Sequence, residues 1–167
     1  EITAKGTHLR MGLKRVGQYF HRTDGSTGNI GSSPIPDAAA GGECQQCFAI
    51  VMTDGYYNGD SPSVGNTDED DAGSDFDGAP YADTYSNTLA DVAMEYYEND
   101  LAPNVNDFVP TNSRDLAEHQ HMVTYTIGFG VSGTFILDPD YLDNGNYPTW
   151  TDPTNDDPEK IDDMQHA

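Results

Sequence analysis

The sequence predicts an α/β domain built on a parallel, doubly wound sheet. Segments with helical apolar spacing alternate with short apolar runs, in the order helix, strand, helix, strand, helix. The runs at 48–52 and 122–131 are rich in β-branched and aromatic residues, and suit strands buried on both faces. Hydrophobic residues make up only 35% of the chain, against 17 Gly and 10 Pro, so a compact centre should carry long solvated insertions. A length of 167 residues is enough for one domain with a real core.

Residues 8–21 read as an amphipathic helix, with Leu9, Leu13, Val16 and Phe20 on one stripe and Arg10 and Lys14 on another face. Residues 23–43 are rich in Gly, Ser, Pro and Ala and lack periodicity, which marks an insertion. The first strand, about 47–53, is followed by a long acidic loop over 54–85. A second helix is expected over 86–101, capped by Ser86 or Asn87, with an apolar stripe of Leu89, Val92, Ala93 and Tyr96. Pro103 ends it. A short helix over 114–120 leads into the second strand at 122–131. A further acidic loop at 138–159 precedes a helix that begins at Ile161. Parallel sheets bind ligands at the carboxyl ends of their strands, where Thr53, Asp54 and Gly55 lie.

The formal net charge is −22, from 29 acids and 7 bases. Such a field repels phosphate backbones and anionic lipid heads, so neither nucleic acid nor membrane insertion is expected. It favours divalent cations, or a salt-rich or extracellular setting, and it also fits a merely solvating surface. Five bases, Lys5, Arg10, Lys14, Arg15 and Arg22, fall within the first 22 residues. Internal complementarity between that basic helix and the acidic remainder is one reading, and a solvated helix face is the other. No leader peptide, transmembrane run or pilin-like apolar start is read in these residues, so for a secreted protein the targeting segment is expected upstream or already removed.

Cys44-Gln-Gln-Cys47 lacks the His of a haem site, having Phe48 there, and lacks the second pair of a zinc site. It precedes a strand rather than opening a helix, which disfavours an activated redox thiol. A local disulfide is expected, with bonding outside the chain as the alternative.

Asp54 closes an apolar strand as Met52-Thr53-Asp54-Gly55, where a carboxylate before a sharp turn can face a metal or polar ligand. An ordinary Asp-Gly turn is the plain alternative. Gly6-Thr7-His8-Leu9 precedes it. Together these resemble two elements of a von Willebrand factor A-type (vWA) domain. The resemblance implies a Rossmann-like sheet and a metal-ion-dependent adhesion site, with Thr7 offering its hydroxyl and Asp54 acting through water. His8 stands where that family has Pro, and Thr7 could instead be only a helix N-cap. The family's Asp-x-Ser-x-Ser loop is missing; Asp24-Gly-Ser26-Thr-Gly28 is a partial match that comes too late. Any Mg or Ca site of this type is therefore incomplete within this chain.

Met52-Thr-Asp-Gly-Tyr-Tyr-Asn-Gly59, Gly65-Asn66, Tyr81-Ala-Asp83 and Thr88-Leu-Ala-Asp-Val-Ala-Met-Glu-Tyr-Tyr97 carry a narrower resemblance. So do Asp100-Leu101, Gln120-His-Met-Val-Thr-Tyr125, Gly128-Phe-Gly-Val131, Gly133-Thr134 and Ile161-Asp-Asp-Met-Gln-His-Ala167. The chain is similar to PilY-type pilus tip adhesins over nearly its whole length. That resemblance implies an extracellular or cell-surface location and a role in adhesion and pilus assembly. It implies pilus minor subunits or other protein chains, and host or abiotic surfaces, as partners. It also implies that residues 1–167 are a single partial vWA-like domain, incomplete at both ends, with insertions at about 23–43, 54–85 and 138–159. Alone, such a piece is not expected to be a stable monomer.

A second candidate metal site is the acidic loop. Asn66, Asp68, Asp70 and Asp77 match positions 1, 3, 5 and 12 of a calcium loop, although Asp71 replaces the glycine at position 6. A solvated loop is the alternative, and a calcium-dependent extracellular structural protein is the competing function. His119 and His121 could share a metal or serve packing and hydrogen bonding. No nucleophile elbow or phosphate loop is present, so no enzyme is expected.

Overall fold

In the computed structural model, residues 6–22, 32–70 and 76–167 are described. The elements are α1 (Leu9–Phe20), β1 (Cys47–Thr53), α2 (Leu89–Glu98), β2 (Met122–Gly128), α3 (Tyr141–Asn144) and α4 (Glu159–His166), with two short 3₁₀ turns at Ala38–Ala40 and Gly42–Cys44. β1 and β2 pair in parallel, from Cys47 beside Met122 to Thr53 beside Gly128. The expected neighbouring parallel strands are therefore present in a small mixed α/β fold.

All three long helices pack on one side of this ribbon. α1 lies on β1, α2 and α4 lie on β2, and α2 touches both other helices. The core is formed by Cys47, Ala49 and Val51 of β1 and Met122 of β2, against Leu13, Leu89, Val92, Tyr96, Ile161 and Met164. β1 alternates strictly between buried and exposed. Its outward residues Phe48, Ile50 and Met52 are open, with Tyr125 and Ile127 beside them; Ile50 is 64% exposed. Burial on both strand faces is thus corrected to burial on one among the described residues. An unbroken apolar run does not say which face is covered.

Periodicity places the helices well and their ends less well. In α1 the buried residues are Leu13 and Gly17, with Gly17 against Tyr96 of α2, while Val16 is exposed. α2 is capped by Thr88, not Ser86 or Asn87. Thr88 Oγ1 accepts from Asp91 N at 2.9 Å, and Thr88 N donates to the Asp91 carboxylate at 2.7 Å, a complete capping box. Asn87 instead adopts φ 64°, and its side chain accepts from Val64 N and Gly65 N. Residues 114–120 are not helical: Asn112 and Asp115 form an isolated antiparallel bridge, and the following backbone donates and accepts across the fold. β2 stops at Gly128 rather than 131. Asp24-Gly-Ser26-Thr-Gly28 and Lys5 lie outside the described residues.

The acidic loop after β1 is tied down. Tyr57, Thr67 and Asp68 are buried. Thr67 N donates to Asp91 Oδ1 at 2.8 Å, and Thr67 Oγ1 donates to the Asp91 carbonyl at 2.6 Å. Arg10 and Lys14 of α1 bond to carbonyls of this loop and of Asn87 just beyond it. Arg10 donates to the carbonyls of Asn87 and Gly59, and Lys14 donates to that of Pro62 at 2.6 Å. The Arg10 guanidinium lies 5.1 Å from the Tyr57 ring centroid.

Candidate functional site

Thr7 and Asp54 sit in neighbouring loops at one end of the ribbon. Asn58 N, four residues beyond Asp54, donates to the Thr7 carbonyl at 2.8 Å. The N-cap of α1 is His8, with no side-chain capping bond, so Thr7 is not spent as a cap. Asp54 is exposed. Thr53 Oγ1 shapes its turn, accepting from Gly55 N at 3.2 Å. Among the described residues Asp54 joins no cluster of three Asp, Glu, His or Cys side chains that could hold an ion. The Thr7 loop and the loop after Asp54 are thus bonded to each other through Asn58.

Cys44 and Cys47 are both free thiols here, so the expected local bridge is not formed. Cys47 starts β1 and points into the core, where burial pushes its thiol up to about 11. Cys44 is exposed on a 3₁₀ turn. Cys44 thus belongs to the turn before the strand, and Cys47 to the strand's buried face.

The four calcium-loop positions do not gather at one point. Asp68 joins Asp83 and His166, whereas Asp70 and Asp77 join Glu98; the potential ligand atoms of each trio lie within 4.8 Å of one another. Asn66 sits beside the first trio and donates from Nδ2 to the Asp83 carbonyl at 3.1 Å. In the second trio Asp70 N donates to Asp77 Oδ1 at 3.0 Å. Glu98 is buried there, and its carboxyl is pushed up to about 8, first by burial and then by the charges of Asp70 and Asp77.

The first trio is more enclosed. Asp68 is 1% exposed, and its Oδ1 accepts from Asp83 N at 3.2 Å. Its Oδ2 accepts no hydrogen bond and lies 3.7 Å from His166 Nε2. Asp83 Oδ2 lies 3.5 Å from His166 Nδ1. Burial pushes the Asp68 carboxyl up to about 7, opposed by the Asp83 backbone bond and by His166. The His166 ring stacks flat on Trp150, with centroids 4.0 Å apart, and Trp150 Nε1 donates to the Pro80 carbonyl at 2.9 Å. A cavity of about 270 Å³ opens beside the trio between α2, β2 and α4, with Asp68 and His166 in its wall.

Asp83, Glu98 and His166 were not visible as ligands in the sequence. They come from separate segments, and only Asp68, Asp70 and Asp77 carried a local spacing signal. His119 and His121 serve as hydrogen-bonding residues: His119 Nε2 lies 2.9 Å from the Tyr97 carbonyl, and His121 Nε2 lies 3.1 Å from Asp115 Oδ1.

The type IV pilus biogenesis factor PilY1 of Pseudomonas aeruginosa strain PAK is 32% identical to this chain over 97% of its length. The chain is a relative of PilY1. The PilY1 proteins of strains PAO1 and UCBPP-PA14 are 31% and 30% identical, over 97% and 89% of the chain. The chain spans only 16% of the length of the first two PilY1 relatives and 13% of the third. No family model and no solved structure matches it. Among the described residues, no helix is long and apolar enough to cross a membrane.

Proposed function

We propose that this chain is a non-catalytic, vWA-like module of a PilY1-type protein, acting in type IV pilus assembly and tip adhesion at the cell surface. The observation that carries the reading is the similarity to PilY1 over 97% of the chain. The adjacent parallel strands suit a Rossmann-like sheet, and the Thr7 and Asp54 loops meet where such a sheet binds ligands. The open apolar face of β1 and β2 suits contact with other protein surfaces, pilus minor subunits among them. Adhesion to host or abiotic surfaces would use the Thr7 and Asp54 end, with Mg or Ca held only when direct ligands from outside the chain complete the site.

The test is a chimera in a piliated strain, in which this chain replaces the corresponding segment of PilY1. Surface pili should be restored relative to a deletion of the segment. Thr7→Ala with Asp54→Ala should then lower surface adherence several-fold at an unchanged number of pili. A secreted, stable chimera that leaves the strain bald would overturn the assembly role, and full adherence of the double variant would overturn the adhesion role. A calcium-dependent structural role is the second reading, favoured by the Asp70, Asp77 and Glu98 cluster. It requires calcium to stabilise the chain irrespective of Thr7 and Asp54.

A further inference from the structure

We propose that Asp68, Asp83 and His166 form a binding site for a zinc-class divalent cation, separate from the Thr7 and Asp54 loops. The three ligands arrive from distant parts of the chain, two from the acidic loop and one from the last turn of α4, yet their ligand atoms fall within 4.8 Å of one another. The 3.5 Å between His166 Nδ1 and Asp83 Oδ2 is close to the edge of a tetrahedron with metal bonds of about 2.0–2.1 Å, which is roughly 3.4 Å.

A second observation independently points to a ligand. Asp68 is almost completely buried, yet its Oδ2 accepts no hydrogen bond while facing His166. A buried carboxylate oxygen without a donor is costly, and a cation relieves that cost. The orientation of His166 fits as well. Its Nε2 meets the Tyr81 carbonyl, as the non-ligating nitrogen of a metal-bound imidazole commonly does, which leaves Nδ1 beside Asp83; Asp68 Oδ2, nearest to Nε2 at 3.7 Å, would turn towards the ion to complete the set. Stacking on Trp150 fixes the ring plane. The adjoining cavity gives room for water to fill a remaining coordination position. One imidazole with two carboxylates suits zinc and its neighbours, whereas calcium takes six to eight oxygens.

Trp150 is the single tryptophan of the sequence and touches the proposed ligand, so its fluorescence reads the site directly. The intact chain, without a polyhistidine tag, is titrated with Zn²⁺ and separately with Ca²⁺. The expected result is a saturable change at one equivalent of Zn²⁺, with a Kd below about 10 μM, and no such change with Ca²⁺. Asp83→Asn and His166→Gln should each weaken Zn²⁺ binding at least about tenfold, while Asp77→Asn in the other cluster leaves it unchanged. Absence of a saturable change in the wild-type chain up to about 1 mM Zn²⁺ would overturn the site whether or not the variants fold. Undiminished binding in both ligand variants, with native circular dichroism, would overturn it too. In Co²⁺-loaded protein, visible bands of a four-coordinate ion with a nitrogen ligand are expected, and an octahedral aquo-like spectrum contradicts the proposal.

Discussion

Asp163 joins three segments that are far apart in sequence. Its carboxylate accepts from the Tyr57 hydroxyl in the loop after β1, and from Leu89 N and Ala90 N at 2.8 and 2.9 Å in the first turn of α2. Burial pushes its pKa up, while the three donors pull it down. Those two backbone donors are ones that a helix N-terminus leaves open, so α4 completes the cap that Thr88 and Asp91 begin. Asp163→Ala would strand the three donors in the core and should cost about 3 kcal/mol or more, measured by chemical denaturation. Asp156→Ala, at an exposed position, serves as the control and should be near neutral. A loss below about 1 kcal/mol at Asp163 would show that water reaches the site and replaces the carboxylate. This hub was not legible in the sequence, because hydrogen bonds spanning 106 and 74 positions leave no local pattern. The position of Asp54 just after β1 was legible, since a strand end followed by glycine is a local signal. The same locality explains why the calcium spacing at Asn66, Asp68, Asp70 and Asp77 was seen, whereas its division between partners at 83, 98 and 166 was not.

At the scale of elements, repeated apolar spacing was a sound guide to where β1, α1, α2 and β2 lie. It failed where tertiary partners outbid local preference. Residues 114–120 have a helical look, but the carbonyls of Glu118 and Gln120 accept from Val109 N and Leu101 N, and His119 turns to Tyr97. The α1–α2 contact is a subtler case. A glycine in mid-helix normally costs about 0.5–1 kcal/mol relative to alanine, and Gly17 lies inside α1. The structure gives its reason: a Cβ there would overlap the Tyr96 ring of α2. Gly17→Ala should therefore destabilise by about 1–3 kcal/mol despite its better helix propensity. Combining it with Tyr96→Leu should recover part of that loss, so that the two changes are less than additive in thermal denaturation. Strict additivity would mean that the helices simply move apart.

Over the whole molecule, 29 acids and 7 bases must share one small fold, and the bases give little direct neutralisation. Arg10 and Lys14 are turned to backbone carbonyls, and the ion pairs of Arg22, Arg114 and Lys160 reach carboxylates that are largely exposed. Exposed pairs contribute about 0–1 kcal/mol each, so net self-repulsion persists and is greatest around buried acids. Glu98 is the clearest of these. An unfolded glutamate releases its proton near 4.5, whereas the folded chain holds it to about 8. Stability associated with Glu98 is therefore complete below 4.5 and declines as pH rises towards about 8, because the unfolded chain then carries the charge more cheaply. The thermal midpoint should accordingly fall between about pH 5 and pH 8 at low ionic strength. Added monovalent salt should recover part of the fall, since a Debye length of about 10 Å at 0.1 M screens the surface acids. Glu98→Gln should flatten the slope, because its side chain keeps a similar shape without the titration. Differential scanning calorimetry across that range, with and without salt, checks all three. A wild-type midpoint that rises with pH, or a Glu98→Gln slope equal to the wild-type slope, would place the controlling charge elsewhere in the acidic loop.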